Sequence, residues 1–134
     1  MVISGRVSKK EEKAIFFFAE NLFSREMLRH LSIRIRKVKD FEVFGLVSVE
    51  DYNASGKPRD FLIEVKKELS EEDFLVTIAH ELVHVRQYVR GDLNEEMSYW
   101  RGVSVDARKI PYDEQPWEIE AESVAKNLFE LYKG

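Results

Sequence analysis

The period of the apolar positions changes along the chain, and each change marks an element. Between Ser8 and about Leu31, the residues Ile15, Phe16, Ala19, Leu22, Phe23, Met27 and Leu31 recur at helical spacing. They line one side of a helix and predict its buried face. Ser8 with Glu11 forms a capping box that starts this helix. The period then falls to two. Leu31, Ile33 and Ile35 alternate with Ser32, Arg34 and Arg36, which predicts a strand. Val43 to Asp51 and Asp60 to Lys66 read as two more strands. The turn cluster Asn53-Ala54-Ser55-Gly56-Lys57-Pro58 between them predicts a hairpin.

Helical spacing returns from Ser70 to about Arg90, with Phe74, Ile78, Leu82, Val85 and Val89 as the apolar stripe. Ser70 caps it, Asp73 completes the box, Glu71 and Glu72 suit the positive end, and Gly91 stops it. Tyr99 to Ile110 is irregular, with strand-like pieces around Trp100 and Val103 to Val105. Pro116 opens a last helix to about Tyr132, with Val124, Ala125, Leu128, Phe129 and Tyr132 toward the core. The order predicts a single α+β domain over residues 1–134: N-terminal helix, small antiparallel or mixed sheet of about three strands, central helix, C-terminal helix.

Composition narrows the class. The chain has 134 residues, 44% hydrophobic and 34% charged, which suits one soluble core. Its net charge is −4 and it has no basic tract, so no nucleic-acid partner is expected; Arg34, Arg36, Lys37 and Lys39 are a local basic patch only. The absence of cysteine rules out disulfides and thiolate metal sites. Ser8 to Lys13 is charged and the apolar run Ala14 to Ala19 is too short for a signal peptide. No segment is suited to span a bilayer, so a cytoplasmic protein is expected.

Chemistry enters at His80-Glu81-Leu82-Val83-His84, an H-E-x-x-H pattern inside the central helix. Two of the three histidines of the chain are here, four apart on one helix face. Both imidazoles can reach one metal ion, and Glu81 stands beside them. The expectation is one zinc ion, with His80 and His84 as ligands and Glu81 as general base. Zinc in a hydrolase takes three protein ligands, so one is missing. His30 lies upstream at the end of the first helix, and no His-x-x-Gly-x-x-His continuation follows His84. A downstream carboxylate fits better: Glu118, Glu120 or Glu122. Glu118 and Glu122 share a face, whereas Glu120 lies about 160° round from Glu118. Ala121 and Ala125 beside Glu118 allow close helix approach, which favours Glu118 over Glu120.

His80-Glu81-x-x-His84 followed by Glu118-x-x-Ala121-Glu122 resembles the gluzincin, thermolysin-like, zinc metallopeptidases. The string from Tyr112 to Ala121, with Trp100-Arg101-Gly102, also looks like small phage-type and prokaryotic minimal metallopeptidases. The resemblance covers roughly Phe61 to Leu131 and implies Glu118 as third ligand. It implies that Glu122, where Asp is common, accepts a hydrogen bond from a ligand histidine. It implies a peptide or protein substrate, laid as an extra strand along the hairpin from Val43 to Lys66. Members often place a Tyr or His opposite the zinc; Tyr112, Tyr99 and Tyr88 are the candidates, each more often simply a packed aromatic, and none is singled out.

Plainer readings stand beside these. Arg86 and Gln87 read as surface polar residues, and Trp100 and Trp117 as core or cleft-wall aromatics. Core packing takes two rings of Phe16-Phe17-Phe18, and the third covers the sheet or a partner surface. The rival function is a non-catalytic zinc-binding regulatory or scaffold module. A further reading is a subunit whose unidentified protein partner completes the cleft. An open metal position beside Glu81 favours the enzyme; a buried Glu81 favours the structural role.

Overall fold

The computed structural model describes all residues, 1–134. Strand β1 (Val2–Gly5) is followed by helices α1 (Lys9–Leu22) and α2 (Arg25–Leu28). Strands β2 (Ser32–Val38), β3 (Gly45–Tyr52) and β4 (Pro58–Lys66) come next, then helix α3 (Glu71–Arg90). A two-stranded ribbon, β5 (Tyr99–Trp100) and β6 (Val103–Ser104), and two short 3-10 turns lead into helix α4 (Pro116–Lys133). The fold is α+β.

The main sheet has the order β1-β2-β4-β3. β1 and β2 are parallel, as are β2 and β4, while β3 and β4 form the expected antiparallel hairpin. The parallel β1–β2 pair requires a crossover, which α1 and α2 supply. Ile33 and Ile35 of β2 and Phe61, Ile63 and Val65 of β4 point into the core. The alternate residues Arg34 and Arg36 face solvent and pair with Glu50 and Glu64. α3 packs on this sheet and on both α1 and α4, and a single apolar cluster unites them.

Three local differences from the sequence reading have physical causes. The first helix ends at Leu22, not near Leu31. Ser24 restarts the chain as a cap, accepting from the Met27 N–H, and so separates α2 from α1. Within α1, Phe18 is fully buried and Phe16 only half-buried; Phe17 packs against Tyr132. At α3, Ser70 Oγ accepts from the Asp73 N–H at 3.1 Å, but no return bond from Asp73 completes a box. The box at Ser8 and Glu11 is complete. Gly91 closes α3 at φ 75°, a left-handed position that a residue without Cβ adopts freely. No helix is long and apolar enough to cross a membrane.

Candidate metal centre

α3 is buried on almost every side, so its motif residues are held by packing rather than by surface contacts. Ile78, Ala79, Leu82, Val83 and Val85 are fully enclosed around them. The i to i+4 spacing sets His80 and His84 with ring centroids 4.9 Å apart. His80, Glu81 and His84 form a group that could hold a metal ion, with ligand atoms all within 4.8 Å of one another.

α4 brings a carboxylate to this group. Pro116 starts the helix, and Trp117 and Ala121, both fully buried, seat its first turns against the core. Glu118 sits between them, only 8% exposed. Its Oε1 lies 2.9 Å from His80 Nε2 and 3.1 Å from His84 Nε2. Two ligand atoms on one tetrahedral zinc stand about 3.3 Å apart, so these spacings are close to those of a shared ion. The donor set of two imidazole nitrogens and one carboxylate oxygen is also that of a catalytic zinc site. On both counts the residues fit the metal. The same oxygen accepts from the Tyr112 hydroxyl at 2.8 Å.

Electrostatics follow from this crowding. Burial alone would raise the Glu118 carboxyl, but the bonds from His80, His84 and Tyr112 outweigh it and hold the group well below the usual carboxylate range. Burial and the bond to Glu118 push the Tyr112 phenol up. Burial lowers His84, but Glu118 and Glu81 overcome it and the net shift is upward. Glu81 is pushed up by burial, which the two histidines only partly offset. Its Oε2 is buried and has no hydrogen-bond partner. An orphaned carboxylate oxygen is costly in a folded interior, and a bound water or ion is one way such a group is satisfied.

The four residues line one cleft of about 480 Å³. Its opposite wall is the start of β3 and the residues before it: Val43, Phe44, Gly45, Leu46 and Val47. Here Gly45 is required by close approach. A Cβ at this position would stand 2.6 Å from Thr77 Cγ2 and 3.1 Å from Glu81 Cγ. β3 is also one of the two edges of the main sheet, β1 being the other.

The other sequence candidates fall elsewhere. Glu120 turns away from the histidines and bonds Gln87 and Arg101. His30 is exposed in the turn before β2 and lines no part of the cleft. Glu122 is exposed and pairs with Lys126 at 3.1 Å, so it accepts no bond from a histidine. The place beside His84 Nδ1 is taken instead by Gln87, on α3 itself. Read from sequence as a surface residue, Gln87 is fully buried and its Oε1 lies 2.8 Å from His84 Nδ1. The signal for it was its place three residues after His84, on the same helix face. Arg86 is half-buried and 3.9 Å from Glu120. Among the tyrosines, Tyr112 and Tyr88 line the cleft; Tyr88 stacks on Phe61, and Tyr99 is exposed on the ribbon. Trp117 is core, and Trp100 packs against it.

Comparison with known proteins returned no matching family model, no matching curated protein and no matching solved structure.

Proposed function

We propose that this protein is a zinc-dependent hydrolase, a peptidase of gluzincin type, in which His80, His84 and Glu118 hold the ion and Glu81 is the general base. The observation that carries the reading is the convergence of His80 Nε2 and His84 Nε2 on Glu118 Oε1 at the floor of a cleft that Glu81 also lines. Held by these three residues, zinc would supply a Lewis acid for the substrate carbonyl and would lower the pKa of a water from about 15.7 to about 7. Glu81 accepts a proton from the water as its oxygen adds to the carbonyl carbon. It returns that proton to the amide nitrogen as the C–N bond breaks. The Tyr112 hydroxyl, which donates to Glu118 Oε1 at 2.8 Å, would donate to the oxygen on which negative charge develops only after turning from that carboxylate. The β3 edge offers backbone N–H and C=O groups to an extended peptide.

A second reading, a zinc-binding scaffold without turnover, draws on one observation: Glu81 is only 5% exposed. Against it, a structural site has no use for a partnerless carboxylate in the wall of an open cleft. Zinc content and cleavage of an unfolded protein, measured on wild type and Glu81→Gln, separate the two. Both proteins should carry about one zinc, and the variant should cut about 10²- to 10⁴-fold more slowly. Equal cutting by both would sink the mechanism; zinc without cutting in either would favour the scaffold.

A further inference from the structure

The side chain of Gln87 has its hydrogen-bonding orientation dictated by its neighbours. Its Nε2 lies 3.0 Å from the Trp117 carbonyl oxygen and 3.1 Å from Glu120 Oε1. Both of those atoms accept hydrogen bonds, so the amide NH₂ must face them. The carbonyl Oε1 is thereby turned toward His84 Nδ1, 2.8 Å away. An amide oxygen only accepts, so His84 Nδ1 must carry a proton. While Nε2 also donates to Glu118 Oε1 the ring carries both protons; in the neutral imidazole the proton that stays is the one on Nδ1, and Nε2, the atom that faces Glu118, has the lone pair. The arrangement is rigid, because Gln87 is fully buried and His84 is 6% exposed. It also ties α3 to the first turn of α4, the turn that carries Glu118. Glu120 is itself anchored from outside by Arg101.

We infer that Gln87 is a positioning residue that fixes the ligand-competent tautomer of His84, reading the start of α4 through its amide. This deepens the zinc reading above and rests on it. It is nevertheless a statement about a side-chain network that exists without metal.

A neutral imidazole with Nδ1–H can offer Nε2 to an ion without first moving a proton. An imidazole free to take either tautomer spends part of its population with Nε2–H, which cannot ligate. Loss of such a hydrogen-bond partner costs about 10- to 100-fold in metal affinity. Two functions of Gln87 must be told apart: accepting from His84, and tying α3 to α4. Gln87→Leu removes both. Gln87→Glu keeps an acceptor for His84 Nδ1–H but loses the donors to Trp117 and Glu120; a Glu120→Gln background removes the like-charge repulsion this creates.

The test is nitrogen-15 NMR of the imidazoles in zinc-free protein at mildly alkaline pH, with zinc affinity from chelator competition. Wild type should show His84 as the Nδ1–H tautomer. Gln87→Leu in the Glu120→Gln background should show mixed tautomers and bind zinc about 10- to 100-fold more weakly. Gln87→Glu in the same background should keep the tautomer and bind zinc within a few-fold of the background protein. An Nε2–H tautomer in wild type would overturn the inference, and that measurement needs no variant to fold. Equal zinc affinity of the Leu and Glu variants would also overturn it, because a purely structural tie moves both together. A wild type that binds no zinc would remove the zinc reading, while the tautomer result would still decide the role of Gln87.

Discussion

At the scale of single residues, the site turns on which atom faces which. Glu118 and Glu120 are two positions apart on α4, and only Glu118 Oε1 reaches the histidines. Glu118→Ala should therefore lose zinc, whereas Glu120→Ala should retain it. Metal analysis of the two purified variants checks this, and the opposite pattern would reassign the third ligand. Tyr112→Phe removes a hydroxyl from the cleft wall and with it the bond to Glu118 Oε1, so zinc content is measured beside activity. Loss of one donor of this kind lowers kcat by about 10²- to 10³-fold with KM little changed. An unchanged kcat would return Tyr112 to the role of a packed aromatic. The grouping of His80, Glu81 and His84 was legible because their spacing on one helix is enough to bring them together. Gln87 was not, because a polar residue at the end of a helix reads as solvated until the partner helix is in place. Glu122 was misplaced for the same reason: one residue of helix rotation decides between the cleft and solvent, and it lies on the side of Lys126.

At the scale of elements, the cleft depends on how closely β3 approaches α3. Gly45 makes that approach, and a Cβ there would meet Thr77 Cγ2 at 2.6 Å. Gly45→Ala should destabilise the fold by about 1–3 kcal/mol, the usual cost of overpacking, and displace Glu81. Denaturant unfolding checks the first part, and a midpoint equal to wild type would contradict it. On the far side of α1, Glu11 joins the Ser8 cap and Lys37 of β2. Burial raises its carboxyl, but the bonds from Ser8 and Lys37 outweigh this and lower it. A lowered carboxyl stabilises the fold above its unfolded value of about 4.3, and that contribution fades as pH falls through the folded value. Glu11→Gln should therefore flatten part of the acid side of the stability curve; an unchanged acid limb would refute the coupling. The caps at Ser8 and Ser70, the Gly91 stop and the β3–β4 hairpin were readable because each is a local device. β1 was not. Val2–Gly5 is short, only Ile3 among its residues is half-buried, and its parallel pairing with β2 is made by distant contacts. The break at Ser24 was readable in principle, but the apolar period running through it was the louder pattern.

For the whole molecule, the candidate centre is a seam. α3 supplies His80, Glu81 and His84; α4 supplies Glu118; β3 walls the cleft. An ion held there couples the two halves of the core, so it should stabilise the folded chain by mass action. At zinc one hundred times above its dissociation constant the gain is about 2.7 kcal/mol, or roughly ten degrees of melting temperature in a domain of this size. Melting with zinc and with a chelator should differ by that amount in wild type and not in His84→Ala. The α+β class was legible from the order of periods alone. The mixed sheet order was not, since β1 pairs with β2 across α1 and α2, and β2 pairs with β4 past β3, both contacts between segments distant in sequence.

The most direct test of the account is the position of the metal itself. Crystals grown with zinc and measured on both sides of its absorption edge should show one anomalous peak, about 2.0–2.2 Å from His80 Nε2, His84 Nε2 and a Glu118 oxygen. A protein with no peak between those three residues, or with its zinc bound elsewhere, would contradict the central claim.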